Sequence, residues 1–186
     1  MKIGLTGPHS SGKTTLLNAL HNVPEFKDID FLPEITRQIK ERGFDINEAG
    51  TVDTQVLIMA AHMNNLLLHN RFIVDRSLMD GLVYTLYLHR HTDGSIPKWF
   101  VDYSQKLFDE YINRYSVIFY LPPEIPLADD GVRSVAKGFH EHVCSIFDEY
   151  ITKTKKQYPS LIVTVSGSVE ERVAIVRKTL LALKGE

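Results

Sequence analysis

One octapeptide constrains this chain more than any other feature. Gly7-Pro8-His9-Ser10-Ser11-Gly12-Lys13-Thr14 meets the pattern G-x-x-x-x-G-K-[ST] at every fixed position. The apolar stretch Lys2 to Thr6 runs into it as a strand, and Lys13 to His21 leaves it with helical spacing. Glycines at the turn let successive backbone N–H groups point inward, and the helix N-terminus adds partial positive charge, so the element is a cradle for phosphate. Lys13 would reach the outer phosphates of a nucleoside triphosphate, and Thr14 would offer its hydroxyl to Mg²⁺. His9, Ser10, Ser11 and Thr15 complete the candidate nucleotide-binding set with Gly7 and Gly12.

The rest of the chain alternates short apolar strands with helices. Strands are expected near 29–33, 71–75, 116–121 and 161–165, and helices over 34–42, 51–69, 78–89, 99–114, 134–158 and 169–183. Nearly continuous apolar strands separated by helices mean a parallel sheet covered on both faces. The expected architecture is therefore α/β, a three-layer α/β/α sandwich with a five-stranded parallel sheet. In the helix over 51–69, Val52, Val56, Met59, Ala60, Met63 and Leu67 recur at three- and four-residue spacing and are expected to face the core. The helix over 78–89 is apolar nearly all round and should be buried. Tyr84, Tyr87, Trp99, Phe100 and Tyr103 read as core or as the wall of a second pocket. No repeat, low-complexity tract or linker divides the 186 residues, so residues 1–186 are read as one domain.

In a doubly wound sheet the C-terminal ends of the strands face the ligand crevice. Two of them carry charged groups. Glu34 and Arg37 stand three residues apart at a strand-to-helix junction, where both point the same way from the first turn. Glu34 could accept a proton from a hydroxyl or hold hydrated Mg²⁺, and Arg37 could clamp a phosphate. The same spacing also suits a plain helix-start ion pair. Asp75-Arg76-Ser77 follows the next apolar run, with Asp75 where an acid beside the Thr14-held Mg²⁺ belongs and Arg76 able to offset charge on a transferring group. Asp80 reads as a dipole partner in the first helical turn or as support for Arg76.

Twenty-one Lys and Arg against 23 Asp and Glu leave a formal charge of −2, which gives no electrostatic reason to expect nucleic acid or an acidic membrane as partner. No apolar run approaches the ~20 residues of a membrane span. Cys144 is the one cysteine, so no internal disulfide can form, and its helical setting reads as that of a small buried hydrophobe. These features point to a soluble cytoplasmic protein. His89 and His91 lack further ligands at metal-binding spacing, and His140 and His142, two apart in a helix, lie on different faces.

Together, these residues resemble the P-loop nucleoside and nucleotide kinases: thymidylate kinase, the deoxynucleoside kinases and the ribosylnicotinamide-kinase-like AAA-type ATP-binding domains. Asp75-Arg76-Ser77-Leu78-Met79-Asp80 with Tyr84 looks most like the last of these. The resemblance implies ATP and Mg²⁺ as cofactors, with Thr14 and Asp75 on the metal. It implies Lys13, Glu34, Asp75, Arg76 and Arg133 as the catalytic set, and Glu34, Arg37, Gln55 and Arg76 around a small nucleotide or nucleoside acceptor. Asp130-Gly131-Val132-Arg133 is similar to the LID element of such kinases, within a LID-like segment at about 126–140, and Gly167 and Arg172 resemble their adenine-side loop. The LID carries a single arginine, and the proline-glycine turn of thymidylate kinases after the strand-two acid is missing. A homodimer through the long helices is common in these families. The expected reaction is phosphoryl transfer to a (deoxy)nucleoside monophosphate. A nucleoside kinase, a nucleotide-dependent switch or ATPase without transfer, and a kinase acting on DNA stay open.

Overall fold

The computed structural model describes residues 1–124 and 138–184. Five strands, β1 (Lys2–Thr6), β2 (Asp30–Leu32), β3 (Phe72–Asp75), β4 (Val117–Tyr120) and β5 (Ile162–Thr164), form one sheet in the order β2-β3-β1-β4-β5. Every neighbouring pair is parallel. This is the expected five-stranded parallel sheet, and the α/β/α class is confirmed. Seven α-helices surround it among the described residues: α1 (Lys13–His21), α2 (Ile35–Glu41), α3 (Val52–Leu68), α4 (Leu78–His91), α5 (Lys98–Tyr111), α6 (Phe139–Gln157) and α7 (Val169–Lys184).

The alternation of side chains along each strand builds two cores. Ile3, Leu5, Ile73, Val117 and Phe119 pack with Leu16, Leu20, Val176 and Leu180 of α1 and α7. Phe72, Val74, Ile118 and Tyr120 point the other way, onto α4, α5 and α6. Both faces of the strands are therefore covered, which is why they read as unbroken apolar runs. The register sets Leu5 opposite Asp75 and Thr6 opposite Tyr120, so the carboxyl ends of β3, β1 and β4 lie side by side.

Some expectations need correction. On α3 the buried residues are Thr54, Gln55, Ile58, Met59, His62 and Leu66, whereas Val56 and Leu67 are 43% and 47% exposed. The helix is thus rotated from the orientation its apolar stripe suggests, because its inward face carries polar groups of the site as well as core residues. Trp99 and Tyr103 are exposed, while Tyr87 and Phe100 are buried. Cys144 is half-buried. The segment 125–137, with Arg133, Lys137 and most of the LID-like stretch, lies outside the described residues, as does the expected start of the sixth helix at 134. Among the described residues no helix is long and apolar enough to cross a membrane.

Candidate functional site

The phosphate cradle is built as its sequence requires. Gly7 (φ 143°) and Gly12 (φ 88°) sit in the region that favours glycine, and Ser10 adopts φ 64° between them. A Cβ on Gly7 would run into the Leu121 carbonyl oxygen at the end of β4, so this position tolerates no side chain. Gly12 is the N-cap of α1 and gives its carbonyl to the Leu16 N–H at 2.9 Å. Lys13 lies inside the loop, its Nζ donating to the Gly7 and Pro8 carbonyls at 2.7 Å each and to Ser11 Oγ at 3.3 Å. Burial, reinforced by Arg76, lowers its pKa to about 8. Ser10 and Ser11 are buried, Ser10 Oγ has no partner among the described residues, and Thr15 faces solvent.

Beside the cradle, Thr14 Oγ1 donates to Asp75 Oδ2 at 2.6 Å. Asp75 Oδ1 is buried and has no partner among the described residues. Burial pushes the Asp75 carboxyl above its ordinary range, opposed by Lys13. A hydroxyl and a carboxylate converging next to a triphosphate cradle are the hard oxygen donors that suit Mg²⁺.

Arg76 holds the centre of the site. It turns the chain out of β3 with φ 82°, a conformation costing about 1–3 kcal/mol for a residue with a side chain. Three contacts sustain it. Arg76 Nε donates to Glu34 Oε1 at 2.6 Å, Nη1 lies 3.8 Å from Asp80 Oδ1, and the guanidinium sits over the Tyr84 ring, 5.2 Å from its centroid. Glu34, the N-cap residue of α2, uses its carboxylate on Arg76 and not on its own helix. Burial alone would raise the Glu34 pKa, but Arg76 and Lys13 overcome it and keep the carboxyl below its ordinary range. Arg37, partly exposed, is 3.9 Å from Glu34 Oε2. Asp80 has both roles open to it. Its Oδ2 takes Thr6 Oγ1 at 2.6 Å and the Ser77 N–H at 2.9 Å, closing the capping box that starts α4, while Oδ1 faces Arg76.

Two concavities meet at Arg76. One is the phosphate side, lined by His9, Ser10, Gly12, Lys13, Thr14, Glu34 and Arg76. The other, about 350 Å³ including its open mouth, has Thr36, Asn47, Gln55, His62 and Tyr84 among its walls. Gln55 is buried, its Oε1 accepting from Thr85 Oγ1 at 3.1 Å, so the amide is oriented. His62 is also buried. Desolvation, with Arg76 nearby, lowers its pKa to about 4, so it is a neutral imidazole, and its Nε2 has no partner among the described residues. Gly81 lets α4 approach it: a Cβ there would lie 2.7 Å from Met59 Sδ and 3.0 Å from His62 Cδ2.

On the far side of the cradle, Arg172 is buried and fully engaged. Its Nη1 donates to the Ser11 carbonyl at 2.7 Å, Nε to the Gly167 carbonyl at 2.9 Å, and Nη2 to Glu124 Oε2 at 3.1 Å. It ties the loop after β5 to the phosphate loop. Sequence reasoning missed Glu124, Thr6, His62, Asn47 and Thr36. None of these carries a local sequence signal of its own; Thr6 is reached only through its bond to Asp80 of the Ser77-x-x-Asp80 capping box.

A parallel sheet in this order, with the glycine-rich loop after β1 and charged groups at the next two strand ends, defines the P-loop nucleoside and nucleotide kinase fold. A family model described as an AAA domain matches residues 2–172, and the chain belongs to that family. Among solved structures it is similar to a deoxyadenosine kinase from M. mycoides with products dCMP and dCDP bound. That match has a TM-score of 0.73 and 13% identity and covers 98% of this chain and 100% of that one. It is also similar to a NadR protein in complex with NR, with a TM-score of 0.72 and 18% identity, over 99% of this chain and 51% of that chain. A thymidylate kinase from Ehrlichia chaffeensis matches at a TM-score of 0.61 and 16% identity, covering 97% of this chain and 98% of that one. No curated protein matches the sequence.

Proposed function

We propose that this chain is an ATP-dependent kinase that phosphorylates a hydroxyl of a small nucleoside-like acceptor. The observation that carries the reading is that Arg76 lines both the phosphate cradle and the second pocket, with Glu34 at the junction. Mg²⁺ bound with ATP supplies charge neutralisation and a polarised γ-phosphoryl group. The chain's own residues do the rest. The loop amides and Lys13 bind the phosphates, and Thr14 and Asp75 would hold the metal. Glu34, kept ionised by Arg76, accepts the acceptor hydroxyl proton. Gln55 and His62 orient the acceptor's ring system, each offering both a donor and an acceptor.

The charge count at the acceptor end favours a nucleoside over the monophosphate expected from sequence. Arg76 is matched by Glu34 and Asp80, so an incoming phosphate would meet little surplus positive charge. One observation supports the monophosphate instead, the partly exposed Arg37 beside Glu34. A coupled ADP-release screen over nucleosides and their monophosphates tests both. Turnover with nucleosides supports the first reading. Turnover confined to monophosphates, with a KM that rises in Arg37→Ala, replaces it with the second. ATP hydrolysis that ignores every acceptor would overturn the kinase reading.

A further inference from the structure

The side of the phosphate loop turned away from the ligand is held by a buried cation. Arg172 Nη1 donates to the Ser11 carbonyl at 2.7 Å. Its other two contacts fix how the guanidinium lies: Nε donates to the Gly167 carbonyl at 2.9 Å and Nη2 to Glu124 Oε2 at 3.1 Å. The same Glu124 oxygen accepts the Gly167 N–H at 3.1 Å, so carboxylate, loop and guanidinium close a triangle. A guanidinium is planar and rigid, so pinning Nε and Nη2 decides where Nη1 points. The Arg172 side chain is 3% exposed, and Glu124 is its one carboxylate partner among the described residues.

Glu124 is itself braced. The chain leaving β4 is tied to the start of the phosphate loop, where the Leu121 N–H donates to the Thr6 carbonyl at 2.9 Å. Pro122 and Pro123, whose rings lock φ, then carry a stiffened backbone to Glu124. The loop after β5 is held as well. Ser168 Oγ accepts the Glu171 N–H at 3.2 Å while Glu171 Oε2 accepts the Ser168 N–H at 2.7 Å, a reciprocal cap at the start of α7. The Gly167 N–H is the largest influence on the Glu124 carboxyl and holds it below its ordinary range, so Arg172 meets an anion.

We propose that Glu124 is a positioning residue for the phosphates of the donor, acting through Arg172 on the Ser11–Gly12 peptide. A trans peptide is planar, with its C=O and N–H pointing opposite ways. With the Ser11 carbonyl drawn onto Arg172, the Gly12 N–H is turned the other way, to the side where Gly12 lines the phosphate concavity. Such a hold matters because Gly12, at φ 88°, has no Cβ to resist rotation, so a flip of the peptide plane between it and Ser11 is inexpensive. A flipped peptide presents an oxygen to the phosphates in place of a donor. This role rests on the loop being a triphosphate cradle, as in the kinase reading above, and not on the identity of the acceptor.

Calorimetric titration of the full chain with two Mg²⁺-loaded probes, ATP and inorganic tripolyphosphate, tests this. In Glu124→Ala both affinities should fall about tenfold, the scale of one lost charge-assisted hydrogen bond. Glu124→Gln keeps an oxygen for the Gly167 N–H and Arg172 and should recover most of that loss with both probes. Where turnover is measured, the ATP KM carries the loss and the acceptor KM does not. In amide NMR of the ligand-free protein the Gly12 resonance should move in Glu124→Ala and return in Glu124→Gln, while Gly43 and Gly94, in the turns after α2 and α4, stay in place. Unchanged affinity for both probes in Glu124→Ala overturns the proposal. So does a loss confined to ATP, which would assign Glu124 to the base end of the nucleotide. If Glu124→Ala does not fold, Arg172→Lys decides: its flexible ammonium lacks the rigid fork, and the same paired loss is expected, with unchanged affinities overturning the role. Failure of the kinase reading alone shows as absent turnover with both probes still bound by the parent. A parent that binds neither probe removes the cradle and this role with it.

Discussion

The two sides of Arg76 are made in opposite ways. The phosphate side is local: eight consecutive residues supply the glycines, the lysine and Thr14, and one strand end adds Asp75, which accepts the Thr14 hydroxyl. The acceptor side is assembled at long range, with Thr36 from α2, Gln55 and His62 from α3, Gly81 and Tyr84 from α4, and Asn47 from the turn between α2 and α3. A contiguous cradle tolerates little change because its backbone is the ligand-binding surface. A pocket of single side chains borrowed from several helices can be altered one wall at a time. On the proposed reading, affinity for the donor and choice of acceptor should be separable, and substitutions on each side test that.

The largest effect is expected at the junction. Glu34→Gln should lower kcat by about 10²- to 10⁴-fold, the usual worth of a positioned base, with both KM values within a few-fold. Steady-state ADP release with each substrate varied in turn checks this. If Asp75→Asn costs far more in kcat than Glu34→Gln, the base has been assigned to the wrong strand end. Glu34 also carries an acid signature. Because its folded pKa lies below the ordinary value, its stabilisation is present above the unfolded pKa and is lost as pH falls through the folded one. Urea melts should therefore lose stability on acidification more steeply in the parent than in Glu34→Gln.

Next in size is Lys13→Ala, which breaks the donor side alone. Nucleotide affinity should fall roughly 100-fold, the scale of a lost charge-assisted contact, while acceptor binding measured calorimetrically changes little. Gly81→Ala addresses the other side. Its methyl group meets Met59 and His62, so the acceptor KM should rise about tenfold and the melting temperature fall, at a cost of roughly 1–3 kcal/mol for overpacking. Equal losses of donor and acceptor affinity in either variant would mean that the halves are not separable.

The same contrast decides what could be read from the sequence. The cradle was legible because its motif is contiguous and sits between a strand and a helix. The strand ends bearing Glu34 and Asp75 were legible because the parallel topology says where ligands lie. Gln55 stood out only through a resemblance. Tyr84 stood out through the same resemblance, whereas His62 reaches the second pocket through how α3 and α4 pack, which no local pattern encodes. The α3 stripe of Val56, Ala60 and Leu67 even pointed the wrong way, since hydrophobic periodicity assumes that polar residues face solvent. Here Thr54, Gln55 and His62 face inward.

The smallest prediction is the sharpest test of that packing. Thr85 Oγ1 lies 3.1 Å from Gln55 Oε1 and 2.8 Å from the Gly81 carbonyl, its one proton shared between them, so one hydroxyl links the amide on α3 to the helix that carries Tyr84. Thr85→Val keeps the shape and removes the donor. Losing one neutral hydrogen bond is worth about 1 kcal/mol, so the acceptor KM should rise roughly fivefold while the ATP KM and kcat hold. Acceptor titrations at saturating ATP measure it. An unchanged acceptor KM would show that Gln55 is not oriented for the acceptor by Thr85, and the second pocket would then owe its selectivity to His62 and the α4 wall.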